Sequence, residues 1–218
     1  MNYDAVVFDN DGVLVGRTHY ERLHEAAWDA FEEVGVPDPD PEHVESMVVG
    51  VSPDDVRKVC TTYDLDAAEF WATRDRVAAD VQREEIREGR KRLYDDISTI
   101  ADLDQPLGIV SSNQQATVDF ALEHFGVADL FDAAYGREPT VESLRLKKPE
   151  PHYIERALAD LDAETALFVG DNESDVRAAE AAGVDSAFLR RPHRIDHELS
   201  VDPTYDLDSL HDLHGVCR

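Results

Sequence analysis

The sequence predicts an α/β fold, a parallel sheet flanked by helices, and three observations lead there. Short apolar runs alternate with segments of helical periodicity, an alternation that calls for right-handed crossovers and parallel strands. Acidic and hydroxyl residues follow several of those runs, at the carboxyl ends where open sheets bind their ligands. One long stretch, residues 17–89, carries helical spacing and no credible strand. At 218 residues the chain suits one large domain or a core with a smaller insert.

The first element is the run YDAVVF at residues 3–8, bounded by Asp9 and short enough for a buried strand. After Gly16 the spacing changes. Leu23, Ala27, Ala30 and Val34 recur at helical intervals, and Gly35 with Pro37 stops that helix. Ser52-Pro53-Asp54-Asp55 supplies an N-cap, a proline at the first helical position and an acidic first turn for a helix running toward Tyr63. A longer helix is expected over residues 67–88, with Phe70, Val77 and Val81 on one face; Trp28, Phe70 and Trp71 read as core residues of this helical stretch. Strand-like runs resume at PLGIV (106–110), FDAAY (131–135), ALFV (166–169) and SAFL (186–189), with helices near 115–125, 151–161 and 174–182 between them. The expected organisation is an α/β core over 1–16 and 90–218 with a helical unit over 17–89.

Composition narrows the function. The 48 acidic residues outnumber the 21 basic ones and give a formal charge of −27. Backbone binding to nucleic acid needs clustered Lys and Arg, so a nucleic-acid groove is excluded. Such an excess self-repels unless salt screens it, and it resembles the composition of cytoplasmic proteins from extreme halophiles. Cys60 and Cys217 are too few and too far apart for a disulfide scaffold, so reduced thiols are expected. No apolar run reaches the length of a membrane span, and the N-terminus enters a strand-like stretch without a signal pattern, which points to the cytoplasm.

The residues after the strands form a chemically coherent set. Asp9 and Asp11 follow the first run, Ser111, Ser112 and Asn113 the second, and Asp171 with Asn172 the run ALFVG, while Lys148 precedes the helix leading into that run. Carboxylates converging on one sheet edge repel and desolvate badly without a cation, and a small set of hard oxygen ligands suits Mg²⁺. A lysine and hydroxyls beside a metal suit a phosphate. Taken singly, each piece has a blander reading. DNDG alone is a common turn, and as the start of a calcium loop it fails because Leu14 stands where the loop needs glycine. Ser111 to Asn113 alone would be a helix cap and Asp171 to Ser174 an acidic helix start. Their joint placement favours a site. His193, His197, His211 and His214 read as a solvated or partly packed tail rather than a metal centre, and Arg17, His19 and Tyr20 as hinge packing.

With these residues in place, the sequence resembles the haloacid dehalogenase superfamily. DNDG (9–12) matches its Asp-x-Asp-Gly motif, VSSN (110–113) its hydroxyl motif, KKPEP (147–151) its lysine motif and GDNESD (170–175) its final acidic motif, in the family's order and over nearly the whole chain. The resemblance implies a Rossmann-like core with a small helical cap inserted after the first strand, in the helical-cap group of phosphoglycolate phosphatases and β-phosphoglucomutases. It implies Asp9 as nucleophile, Asp11 as acid and base, and Mg²⁺ held by Asp9, the Asp11 backbone carbonyl and Asp171. Asp175 would support that metal site from behind, Ser111, Ser112 and Asn113 would meet the phosphate, and Lys148 would offset its charge. Dehalogenases of the superfamily lack the second aspartate, which is present here as Asp11. Mutases carry a hinge histidine where this chain has Glu21, with His19 and His24 off register. Val13 and Gly16 depart from the DGTL-x-x-D pattern of many capped phosphatases. The implied activity is therefore hydrolysis of a small phosphorylated metabolite, with a sugar phosphomutase as the alternative and a dehalogenase or noncatalytic binding protein behind it.

Overall fold

A computed structural model describes residues 3–217. Along the chain run β1 (Ala5–Phe8), then helices α1 (Tyr20–Glu33), α2 (Pro41–Ser46), α3 (Pro53–Tyr63) and α4 (Ala67–Arg87). There follow β2 (Leu107–Gln114), α5 (Gln115–Phe125), β3 (Ala133–Arg137), α6 (His152–Asp160), β4 (Ala166–Gly170), α7 (Glu173–Ala182), β5 (Asp185–Leu189), β6 (Tyr205–Leu207) and α8 (Leu213–Val216). The chain divides into two compact units, one of Met1–Arg17, Arg92–Gly136 and Lys147–Arg218, the other of Thr18–Lys91 and Arg137–Leu146.

The first unit is built on a six-stranded sheet in the order β3-β2-β1-β4-β5-β6, with β1 parallel to both β2 and β4, β4 to β5 and β5 to β6. Every residue of β1 and β4 is buried, as a strand covered on both faces requires, and this is why both read as unbroken apolar runs. Val6, Phe8, Ile109, Leu167, Val169, Leu189 and Val118 are among the buried side chains of its core. Phe8 is in register with Ile109 on one side and Val169 on the other; β4 ends one residue past that level, while β2 runs on through Gln114. Chain order reverses between β1 and β4, the position where such sheets open a ligand crevice.

The second unit is helical. α1 buries Ala26, Ala27, Ala30 and Phe31, of which Ala27 and Phe31 pack with Val44, Val56, Val59, Phe70 and Trp71. α3 starts as the sequence predicts, with Ser52 as N-cap in a reciprocal capping box with Asp55 and Pro53 in the first turn. Segment 137–146, which the sequence reading groups with the core, belongs to this unit and adds Leu144 and Val141 to its packing. Arg137 also forms a buried bidentate pair with Asp75, at 2.9 and 2.6 Å, while its guanidinium lies 5.0 Å from the Trp71 ring.

Two boundaries differ from the sequence reading, and two short elements lie outside it. β3 begins at Ala133 rather than Phe131, because Phe131 turns inward against the edge of Phe8 and the Asp132 N–H goes to the Leu107 carbonyl. β2 continues through Gln114, so Ser111 to Asn113 lie in the end of the strand rather than after it. α2 and β6 are too short to announce themselves by periodicity. No helix among the described residues is long and apolar enough to cross a membrane.

Candidate active site

β1 ends by passing its ladder one residue further: the Asp9 N–H donates to the Val169 carbonyl at 2.8 Å. The chain then folds back over Asn10, whose buried carbonyl accepts from the N–H groups of Val13, Leu14 and Val15. Gly12 completes the turn at φ +89°, and a Cβ there would stand 2.5 Å from Asp171 Oδ2. Glycine is thus required twice, for the backbone and for the room it leaves beside a carboxylate.

Lys148 binds the acidic residues together. Its Nζ lies 2.8 Å from Asp9 Oδ1 and 2.7 Å from Asp175 Oδ1, and it donates to the Val110 carbonyl at 3.1 Å. The contact with Asp175 is an ion pair whose angle falls short of a hydrogen bond. The Lys148–Pro149 peptide bond is cis. Asp175 Oδ2 accepts from the N–H groups of Asp171 (3.1 Å) and Asn172 (2.9 Å), closing the capping box that starts α7. Both Asp175 oxygens are therefore committed, one to the lysine and one to the backbone of the acidic loop.

Asp9, Asp171 and Asp175 are buried and offer oxygens that all lie within 4.8 Å of one another. Burial pushes the Asp9 carboxyl up to about 8; Lys148 pulls it down, and the charges of Asp175 and Asp171 raise it further. Burial, only partly offset by Lys148, likewise raises Asp175. Lys148 itself is lowered by burial but raised more by Asp175 and Asp9, so it stays charged. Three carboxylates against Lys148 and the Arg194 guanidinium beside Asp171 still leave a deficit of positive charge that a divalent ion would fill. The recorded partners of Asp9 fall on Oδ1, from Lys148 and the Asn10 N–H, and those of Asp171 on Oδ2. Among the described residues this leaves Asp9 Oδ2 and Asp171 Oδ1 open, two hard oxygens of the kind Mg²⁺ takes. The donor set fits such an ion.

Asp11 stands apart from that cluster. Its Oδ2 accepts from Asn113 Nδ2 at 2.8 Å and from Asn10 Nδ2 at 3.4 Å, so the second aspartate is oriented by amides and not by the lysine. Ser111 is buried and its Oγ accepts from the Asn113 N–H at 3.1 Å, and Ser112 is half-buried. Asn113 spends its amide on Asp11, and the residue capping α5 is Gln114.

The histidine reading missed one contact. His193 is an exposed, partly packed residue, yet its Nε2 lies 2.6 Å from Asp171 Oδ2, with Arg194 Nε 3.4 Å from the same oxygen. His211 pairs with Thr99 at 2.7 Å and His197 stacks on Phe188, both away from the acidic cluster. Arg191 was also missed. It is buried, donates to the Val13 carbonyl at 2.5 Å, pairs with Asp96 at 2.7 Å and lies over the Tyr94 ring. The signal for both was present: Arg191, His193 and Arg194 follow β5 as Asp171 follows β4, and the rule of inspecting strand ends applies to them equally.

An open parallel sheet with an acidic, lysine-containing cluster at its carboxyl edge places that cluster where α/β enzymes bind their ligands. The chain belongs to the haloacid dehalogenase-like hydrolases, whose family model matches residues 3–183. Among characterised relatives it is 24% identical to the pyrophosphatase PpaX of Anoxybacillus flavithermus over 99% of this chain and 97% of that one. It is 40% identical to a phosphoglycolate phosphatase of Cereibacter sphaeroides over 42% of this chain and 39% of that one. Among solved structures it superposes on CbbY of Rhodobacter sphaeroides in complex with phosphate, at a TM-score of 0.71 and 21% identity over 97% of this chain and 96% of that one. A variant of CbbY has been solved with xylulose-(1,5)bisphosphate.

Proposed function

We propose that the protein is a Mg²⁺-dependent phosphatase that hydrolyses a small phosphate monoester through a phosphorylated Asp9. The observation carrying this is the meeting of Asp9, Lys148, Asp171 and Asp175 at the carboxyl edge of the sheet, with one cationic side chain shared by two carboxylates. A binding module has no need of a buried carboxylate that is costly to keep ionised.

Bound at Asp9, Asp171 and the Asp11 backbone carbonyl, Mg²⁺ would supply the charge neutralisation that lets an anionic nucleophile approach an anionic phosphate. In the first half-reaction an Asp9 oxygen attacks phosphorus as the bond to the leaving oxygen breaks, and Asp11 gives that oxygen its proton. In the second, water attacks the phosphoryl group, Asp11 takes the proton, and Asp9 leaves as a free carboxylate. Acid-base help of this kind is worth about 10²- to 10⁴-fold. Asn113, bonded to Asp11 Oδ2, keeps that carboxyl in one orientation. Lys148 stabilises Asp9 as an anion before attack and the phosphoryl oxygens afterwards. Asp175 holds Lys148 and the Asp171–Asn172 backbone in place. Ser111 and Ser112 meet the phosphate, and the helical unit is the counterpart of the family's cap.

The names of the relatives put phosphoglycolate and pyrophosphate on the first substrate panel. The acidic surface and the absence, among the described residues, of a helix able to cross a membrane support a high-salt cytoplasm as the setting. The test is hydrolysis of p-nitrophenyl phosphate in Mg²⁺ and high KCl. Wild type should turn over, EDTA should abolish it, and Asp9→Asn should show no turnover while staying folded. Full activity of Asp9→Asn would rule out the phosphorylated aspartate.

A further inference from the structure

We propose that His193, assisted by Arg194, is a positioning residue: it holds Asp171 in the one orientation that presents a single oxygen to the cation, and so tunes the site toward Mg²⁺ and against Ca²⁺. This rests on the Mg²⁺ reading above and deepens it.

Asp171 is nearly buried while the His193 side chain is 26% exposed, so the histidine reaches the carboxylate from the solvent side. Both recorded side-chain partners, His193 Nε2 at 2.6 Å and Arg194 Nε at 3.4 Å, converge on Oδ2. With Asp171 ionised, each nitrogen donates. His193 lies outside the group of potential metal ligands formed by Asp9, Asp171 and Asp175, which makes it a partner of a ligand and not a ligand itself.

The two donors come from one short turn, Pro192–Arg194, and that turn is fixed at its base. The Arg194 N–H donates to the Arg191 carbonyl at 2.7 Å, and the Arg191 side chain is held by Val13 O and Asp96. Gly12 leaves room beside the same carboxylate, where a Cβ would stand 2.5 Å from Oδ2.

The consequence follows from what the two ions want. Mg²⁺ demands near-ideal octahedral geometry with one oxygen per carboxylate, whereas Ca²⁺ accepts bidentate carboxylates in a looser shell. Occupying Oδ2 with N–H donors leaves Oδ1 alone for the cation. Freeing Oδ2 would let Asp171 rotate and chelate, a change that penalises Mg²⁺ more than Ca²⁺. Partners behind a metal ligand are worth about 10- to 100-fold in affinity.

The experiment measures binding of MgCl₂ and of CaCl₂ to the EDTA-stripped full-length protein by calorimetry, with no turnover involved. His193→Ala should weaken Mg²⁺ by about 10- to 100-fold and Ca²⁺ by clearly less, narrowing the ratio of the two affinities. His193→Gln carries an amide nitrogen where Nε2 stood and should restore most of the Mg²⁺ affinity. His193→Asn, one carbon shorter, should not, and the Gln and Asn pair decides the matter if the alanine variant unfolds. Unchanged Mg²⁺ affinity in the folded alanine or asparagine variant would overturn the proposal, as would equal losses for both ions or a glutamine variant no better than asparagine. A wild type that fails to bind Mg²⁺ would refute the metal reading itself and this proposal with it.

Discussion

Replacing Lys148 by methionine keeps most of the side-chain volume and removes the charge that separates two buried carboxylates. In the wild type its Nζ is 2.8 Å from Asp9 and 2.7 Å from Asp175. At such separations each pair attracts by about 6 kcal/mol at an effective dielectric constant of about 20, before the cost of desolvating the charges is subtracted. Taking one partner from a buried pair leaves the others uncompensated and costs about 3–5 kcal/mol net. The Val110 carbonyl loses its donor as well. The sign is set by the direction of the lysine shift. Burial lowers the ammonium, but Asp175 and Asp9 lift it above its ordinary 10.5 overall. A cation raised on folding contributes its full stability below its unfolded value and loses it only as pH climbs through the higher folded one, so the lysine is charged at neutral pH; Asp9, raised to about 8, adds its share of the attraction as pH climbs through that value. Urea unfolding at neutral pH in EDTA should therefore show Lys148→Met less stable by about 3–5 kcal/mol. The loss should persist in about 1 M KCl, where a Debye length of about 3 Å screens surface pairs but not one inside the sheet edge. A loss below about 1 kcal/mol would refute the reasoning, because it would mean that the lysine is not the counter-charge of this cluster.

Two further perturbations probe the surroundings. Gly12→Ala forces a left-handed backbone on an L-residue, at about 1–2 kcal/mol, and drives a methyl to within 2.5 Å of Asp171 Oδ2; the melting temperature in EDTA should fall and Mg²⁺ should restore less of it than in wild type. An unchanged melting curve with intact Mg²⁺ binding would contradict the close approach. Burial raises the Asp96 carboxyl, but Arg191 and the Leu210 N–H hold it below its ordinary value overall. A carboxylate depressed on folding contributes stability above its unfolded value and loses it as pH falls through the folded one. The melting-temperature gap between wild type and Asp96→Asn should accordingly close on acidification below about 3.9, and a gap constant with pH would count against the Arg191 pairing.

The alternation of apolar runs and helical spacing was enough to find the sheet, because strands buried on both faces leave no polar positions to confuse the pattern. Asp9 and Asp171 stand out for a related reason: residues that follow such strands leave the core pattern, and their acidic character contrasts with it, whereas Lys148 and Asp175 are picked out by the motifs KKPEP and GDNESD. What stayed hidden depended on contacts distant in sequence. Nothing local distinguishes His193 from His197 four residues later, yet one meets Asp171 and the other stacks on Phe188. Phe131 reads as strand by composition and is withdrawn from β3 by its packing against Phe8, which no propensity encodes. The assignment of segment 137–146 is equally remote in origin, since it follows from the Arg137–Asp75 pair across sixty-two positions.

That discontinuity bears on how such proteins can be recombined. A chimera that transplants only the stretch between the first two strands would carry Asp75 into its new host without Arg137, with Arg74 still 3.7 Å away, and would leave Trp71 without one of the two guanidinium groups near its ring. The donor piece would then lack the bidentate bonds to Asp75 and present a gap where Leu144 should sit. Exchange of the helical unit in this architecture should succeed when both stretches travel together, so the natural unit of inheritance is a pair of fragments rather than a single cassette.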